Sequence, residues 1–161
     1  MAKASIADNL KVIEKIPLFQ GLSPNQVRQL LDAGQMKTCE RGHILCREGD
    51  KSTDMYILLA GEVSVRRKDV TLATVQPVEV IGEMGLVSGQ PRSAKVEVTR
   101  NATLICLNKL TFDVALKKDA DSAAKVFRNM LKTVCHRLRD ANDRLLHLEG
   151  QVPRQSTDTA D

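Results

Sequence analysis

The sequence predicts an α+β fold: an all-β middle flanked by helical segments. Three observations carry this. Apolar residues recur at helical spacing up to about Gln35, short β-branched runs punctuated by glycine fill the stretch from about Met36 to Asn108, and a helical period returns after Leu110. The chain has 161 residues, 42% apolar and 27% charged, enough for one domain with a proper core. That balance excludes global disorder, collagen-like repeats and a disulfide scaffold.

In the first zone, Ile6, Leu10, Ile13 and Ile16 share one helical face, and Pro17 stops that helix. Ser23 reads as an N-cap with Pro24 at the first helical position, and Val27, Leu30 and Leu31 face inward. The second zone offers strands at 43–46, 55–59, 62–66, 71–75, 95–98 and 103–107, with Gly42, Gly49, Gly61, Gly82, Gly85 and Gly89 between them. Short strands at such intervals fit a sandwich, a roll or a barrel. Arg67-Lys68-Asp69 is a compact hairpin link. In the third zone, residues 111–116 read as a short helix and 121–148 as a long one. Residues 149–161 are polar, contain Pro153 and read as a disordered tail.

Composition narrows the function classes. Phe19, Phe112, Phe127 and Tyr56 are the aromatic residues, so the core is aliphatic and a stacking platform for single-stranded nucleic acid is excluded. No apolar run approaches the roughly 18 residues of a membrane span, and the N-terminus lacks an apolar signal region. Cys39, Cys46, Cys106 and Cys135 form no CxxC pair and have no histidine at metal-ligand spacing, which fits reduced thiols and a cytoplasmic protein. A redox pair between Cys39 and Cys46, across the turn at Gly42, is the alternative. Net charge is +4, and residues 117–147 hold the whole excess, with eight basic against four acidic residues. A charged helix face explains this without DNA. Paired carboxylates, a nucleophile elbow and a Walker loop are missing, so the sequence offers no catalytic residue and no metal site.

The most informative stretch runs from Ile81 to Ala94, IGEMGLVSGQPRSA. Gly82 permits a close backbone approach, and amides at the start of the short turn that follows attract an anion. Arg92 can fork two hydrogen bonds onto a phosphate, and Ser93 can add a third. Glu83 would repel a phosphate, so it suits a hydroxyl of the same ligand. The competing reading is a structural turn closed by an Arg92–Glu83 ion pair.

This stretch resembles the phosphate-binding cassette of the cyclic-nucleotide-binding domain family, which includes catabolite activator proteins, protein kinase A regulatory subunits and cyclic-nucleotide-gated channels. Arg47-Glu48-Gly49-Asp50, Asp54-Met55-Tyr56-Ile57, Gly61-Glu62-Val63, Pro17-Leu18-Phe19 and Leu22-Ser23 resemble further family signatures, and the similarity covers about residues 10–148. The resemblance implies an antiparallel β-roll, jelly-roll-like or a double-stranded β-helix, with N-terminal helices and a long C-terminal helix. It implies one domain over 1–148, with helices at 5–35, the roll at 36–108, the cassette at 81–94 and helices at 110–148.

The resemblance also assigns roles. Arg92 pairs with a cyclic phosphate, helped by Ser93 and by the backbone near Met84, Gly85, Leu86 and Ala94. Glu83, with the Gly82 backbone, takes the ribose 2′-hydroxyl. Val65, Leu72 and Ala73 are candidates for the apolar wall. In catabolite activator relatives a Thr-Ser pair on the long helix touches adenine; by register those positions are Ala141 and Asn142 here. Asn142 offers a donor and an acceptor, and alanine offers neither. The hydroxyl of Ser93 would also favour a syn guanine, as in some relatives. The ligand is thus expected to be cAMP or cGMP, with no other cofactor.

Phe127, Leu131, Val134, Leu138, Ala141, Leu145 and Leu148 alternate steps of four and three, an a/d seam. About 22 residues of helix reach roughly 33 Å, longer than a small roll needs. A parallel homodimer through residues 121–148 is expected, with Arg137, Arg139 and Arg144 pairing with Asp140 and Asp143 across it. The thirteen residues after Leu148 are too few for a helix-turn-helix. The expected function is a non-catalytic cyclic-nucleotide sensor acting in signal transduction on an unknown effector protein. The alternative is a ligand-free dimerisation scaffold. A bound nucleotide discriminates between them.

Overall fold

A computed structural model describes residues 10–32 and 34–150 of the chain. In order it contains α1 (Leu10–Ile13), a 3-10 turn (Pro17–Phe19), α2 (Pro24–Leu31), β1 (Gly34–Cys39), β2 (Ile44–Cys46), β3 (Met55–Arg67), β4 (Val70–Val75), β5 (Glu79–Ile81), α3 (Glu83–Ser88), β6 (Lys95–Leu107), α4 (Lys109–Lys118) and α5 (Ala120–Gly150). The strands form one antiparallel sheet in the order β1-β6-β3-β4, with β2 added on β6 and β5 added on β3. This is the expected antiparallel roll between helical segments.

Two long strands organise it. β3 and β6 have 13 residues each and run side by side from Met55 opposite Leu107 to Arg66 opposite Lys95. The sequence pattern breaks each of them in two, and the structure corrects this. Gly61 lies inside β3 at φ 92°, where register shifts on both sides mark bulges. A side chain at Gly61 would drive into the backbone of Asn101 and Ala102 of β6. The glycine therefore serves a close strand crossing and not a turn. β1 and β5 are additional to the strands read from sequence. Lys68-Asp69 turns β3 into β4, with Lys68 at φ 52°.

At the N-terminus, Ile6 lies outside the described residues. Ile16 is extended at ψ 127° ahead of Pro17, so α1 ends at Ile13. Ser23 caps α2 in a full capping box: its hydroxyl accepts from the Gln26 amide at 3.3 Å, and the Gln26 side chain accepts from the Ser23 amide at 2.9 Å.

Alternation along β3 separates two cores. Met55, Ile57 and Leu59 face the helices and join Phe19, Leu30, Ile105, Phe112, Val126 and Met130. Tyr56, Leu58 and Val63 face the roll interior with Cys46, Val75, Val96, Val98 and Leu104. All four cysteines are free thiols; Cys39 and Cys46 are buried, and burial raises both above the usual thiol value.

α5 is tied at its start and exposed beyond. The Asp119 carboxylate accepts from Ser122 at 2.6 Å, from the Asp121 amide at 3.0 Å and from Gln26 at 2.8 Å. These bonds, Ser122 first, hold its carboxyl down to about 2. The buried Asn129 amide donates to the Leu18 and Gln20 carbonyls at 3.0 and 2.8 Å, pinning α5 to the 3-10 turn. α5 continues to Gly150, two residues past the expected end, and the rest of the expected tail, 151–161, lies outside the described residues. Phe127, Leu131, Val134, Leu138, Leu145 and Leu148 are 40–63% exposed, so the apolar seam does not pack on the chain's own roll.

Candidate functional site

The site is built where β5 gives way to α3. Gly82 makes the turn at φ 85°, and the Arg92 guanidinium lies where its side chain would be, so glycine is required on two counts. Glu83, Met84 and Gly85 open α3, leaving their amides without helical partners. Arg92 follows on the loop into β6. Its backbone is fixed by pairing with the 49–50 loop: Arg92 N donates to Asp50 O, and Gly49 N donates to Arg92 O, both at 2.8 Å.

Arg92 is 6% exposed and is held by neutral oxygens. It donates to Gly82 O and Ser52 Oγ, both at 3.4 Å, and to Asp54 O at close range. Its Nε is buried without a partner, and no carboxylate pairs with it among the described residues. The guanidinium lies 6.0 Å from the centroid of the Tyr56 ring, a weak cation–π contact. Burial is the main cause that pushes the Tyr56 hydroxyl up to about 12. A desolvated cation without an anion is costly, and the arrangement fits a bound anion.

Glu83 is 3% exposed and pairs with Arg137 of α5, not with Arg92. Arg137 also donates to Val80 O at 3.1 Å. The other carboxylate oxygen, Oε2, is buried without a partner and is free to accept a hydroxyl. Arg92 and Glu83 thus stand together at the Gly82 start of α3, one cationic and one accepting. Leu86 is buried beneath the turn, and its carbonyl accepts from Lys109 of α4 at 2.7 Å. A groove of about 490 Å³ between α5, the 3-10 turn and β5 uses Glu83 and Arg137 as part of its wall; Arg92 stays out of it, enclosed by the 52–54 loop.

The other expected site residues divide. Gly82, Glu83, Gly85, Leu86, Arg92 and Ala94 gather at the turn; Met84 is 58% exposed, and Ser93 is exposed beside Arg92. Val65 packs toward the roll interior, opposite Ala73. Leu72 sits at the bulge in the β3–β4 pair with its side chain exposed, and its carbonyl accepts from Arg144 of α5 at 3.0 Å. Asn142 is exposed and lies roughly 140° around the helix from Arg137, so the structure does not bring it to this chain's own cassette.

Sequence reasoning missed Arg137. The seam pattern predicts pairs with Asp140 and Asp143 across a dimer for it; within the chain Arg137 turns to Glu83, Arg144 to Leu72, and Asp140 pairs with His136 at 3.0 Å. The signal available was the seven-residue spacing of Arg137 and Arg144, which puts both on one helix face beside the seam.

Comparison with known proteins agrees with this geometry. Residues 36–119 match the cyclic nucleotide-binding domain family. A cyclic nucleotide-gated potassium channel of Mesorhizobium japonicum is 33% identical over 74% of this chain and 33% of its own length. The cAMP-dependent protein kinase type II regulatory subunit of Drosophila melanogaster is 27% identical over 76% of this chain and 32% of its own. The chain spans about a third of the length of these relatives. A solved cyclic nucleotide-binding domain from Methylobacillus flagellatus superposes with a TM-score of 0.75 at 31% identity, covering 85% of this chain and 80% of that one. The catabolite activator protein of Thermus thermophilus gives 0.72 at 28% identity, covering 83% and 63%. With more than half of its residues in the family match and the roll, the turn and the buried arginine in place, this chain belongs to the cyclic nucleotide-binding domain family.

Proposed function

We propose that this chain is a non-catalytic regulatory module that binds one cyclic mononucleotide per protomer at the α3 turn. One observation carries the reading: Arg92 is buried, charged and paired only with neutral oxygens, a site made for an anion. In this reading Arg92 takes the cyclic phosphate, with Ser93 and the α3 amides. Glu83 Oε2 takes the ribose 2′-hydroxyl, which makes the ligand a ribonucleotide. The relatives named for cyclic nucleotides support the ligand class.

Binding is then felt by α5 through the Glu83–Arg137 pair, with α4 as the hinge, and α5 carries the signal to an effector protein. Its exposed seam supports a parallel homodimer. No described helix is long and apolar enough to cross a membrane, which is compatible with the cytoplasmic setting that the reduced thiols suggest.

The test is calorimetric titration with cAMP and cGMP. Wild type binds with a stoichiometry of one, and Arg92→Ala weakens binding at least about tenfold, a loss of about 1.4 kcal/mol. Arg92→Lys, which keeps the charge and loses the fork, falls between them. Equal affinity in wild type and Arg92→Ala, with the fold intact by circular dichroism, overturns the phosphate assignment. Failure of wild type to bind either nucleotide favours the ligand-free scaffold.

A further inference from the structure

Two arginines of α5 reach the roll at two separate points. Arg137 reaches Glu83 at the cassette, and Arg144 reaches the Leu72 carbonyl on β4 at 3.0 Å. They are seven residues apart, so they lie on one face of the helix and about 10 Å apart along it. α5 therefore bridges the interval between the cassette and the outer strand of the roll. For a nucleotide with its phosphate on Arg92 and its ribose on Glu83, the interval spanned by these two arginines would be open to the base.

We propose that Arg144 reads the base and favours guanine. The inference rests on the cyclic-nucleotide reading above and adds to it the identity of the base. Arg144 has five N–H donors and no acceptor. Its Nη1 is spent on the Leu72 carbonyl, which anchors the guanidinium against β4, and its remaining N–H groups have no partner among the described residues. Guanine offers two acceptors on one edge, O6 and N7, and an arginine fork matches both. Adenine offers N7 but puts an amino group in place of O6, so donor would face donor. Asn142, the base reader suggested by register, is on another face of α5 and does not compete for this position.

The test is calorimetric titration of cGMP, cAMP and cyclic IMP into wild type, Arg144→Ala and Arg92→Ala. Hypoxanthine keeps O6 and N7 and lacks the 2-amino group, so it isolates the edge that Arg144 would read. Wild type is expected to bind cGMP and cyclic IMP at least about fivefold more tightly than cAMP, the low end of what one good bidentate base contact discriminates. Arg144→Ala removes the preference by weakening cGMP and cyclic IMP, and cAMP stays within about twofold. Because Arg144 is exposed, its removal leaves the fold intact, checked by circular dichroism.

A wild-type preference for cAMP, or none, overturns the proposal. So does a guanine preference that survives Arg144→Ala, or cyclic IMP binding as weakly as cAMP, which would assign recognition to the 2-amino group. These outcomes leave Arg92-dependent binding in place and so differ from failure of the parent reading. There Arg92→Ala matches wild type or no nucleotide binds, and the base assignment falls with it.

Discussion

Arg137 of α5 donates to the buried Glu83 at the start of α3, across 54 residues of chain. The carboxylate that is offered to a ligand is thereby also the carboxylate that holds the long helix. The Glu83 side chain is 4% exposed and the Arg137 side chain 45%, so the helix end of the pair can leave for water while the cassette end cannot. Any ligand that competes for Glu83, or that adds a partner to its second oxygen, changes the hold on α5.

Arg137→Ala is therefore expected to cost more than a surface arginine does. It strands a buried carboxylate, a penalty of about 1–3 kcal/mol. Glu83→Gln removes the charge that Arg137 balances. In the double variant the stranded charge no longer exists, so the two effects fall short of additive by about 0.5 kcal/mol or more. Urea denaturation of the four proteins measures this. Strict additivity would mean that the pair contributes nothing.

Two glycines at the ends of α3 separate backbone strain from site geometry. Gly82 and Gly89 both have positive φ, 85° and 65°. Alanine at either is expected to cost about 1–2 kcal/mol for the left-handed backbone. At Gly89 nothing lies within 4 Å of the new methyl group, whereas at Gly82 the methyl meets the Arg92 guanidinium. Gly82→Ala should thus lower nucleotide affinity at least about tenfold, and Gly89→Ala should leave it within about twofold. Equal losses in both would show that the backbone of α3, and not the position of Arg92, sets affinity.

How much of this was legible in sequence depended on whether a feature was local. The Ser23 cap, the turn at Lys68 and the Gly82–Arg92 turn are short-range patterns, and the structure carries them as read. Gly61 misled because a glycine in a turn and a glycine under a crossing strand look alike until β6 is laid beside it. β5 has three residues and shows no period. Arg137 was visible as a charged helix residue, but its partner depends on the angle at which α5 leaves the 3-10 turn. That angle is set by Asn129 and by the burial of Val126 and Met130, which no local pattern reports.

The exposed face of α5 carries the last prediction. Leu138 is 60% exposed in the single chain, in the middle of a seam whose other leucines and valine are similarly bare. An exposed leucine replaced by aspartate costs a monomer little. In a parallel dimer the same change sets two carboxylates against each other in a desolvated seam, which costs several kcal/mol. Leu138→Asp is thus expected to keep the thermal stability of the isolated fold and to convert a dimer to a monomer by sedimentation equilibrium. Since α5 is also bonded to Glu83, assembly and nucleotide binding should be linked, and the linkage is reciprocal. If nucleotide tightens the dimer, the Leu138→Asp monomer binds nucleotide more weakly by the corresponding factor, although Leu138 lies outside the cassette. A wild type that sediments as a monomer with and without nucleotide rejects the seam as an interface. Unchanged nucleotide affinity in a proven Leu138→Asp monomer would leave α5 a clamp between protomers that takes no part in sensing.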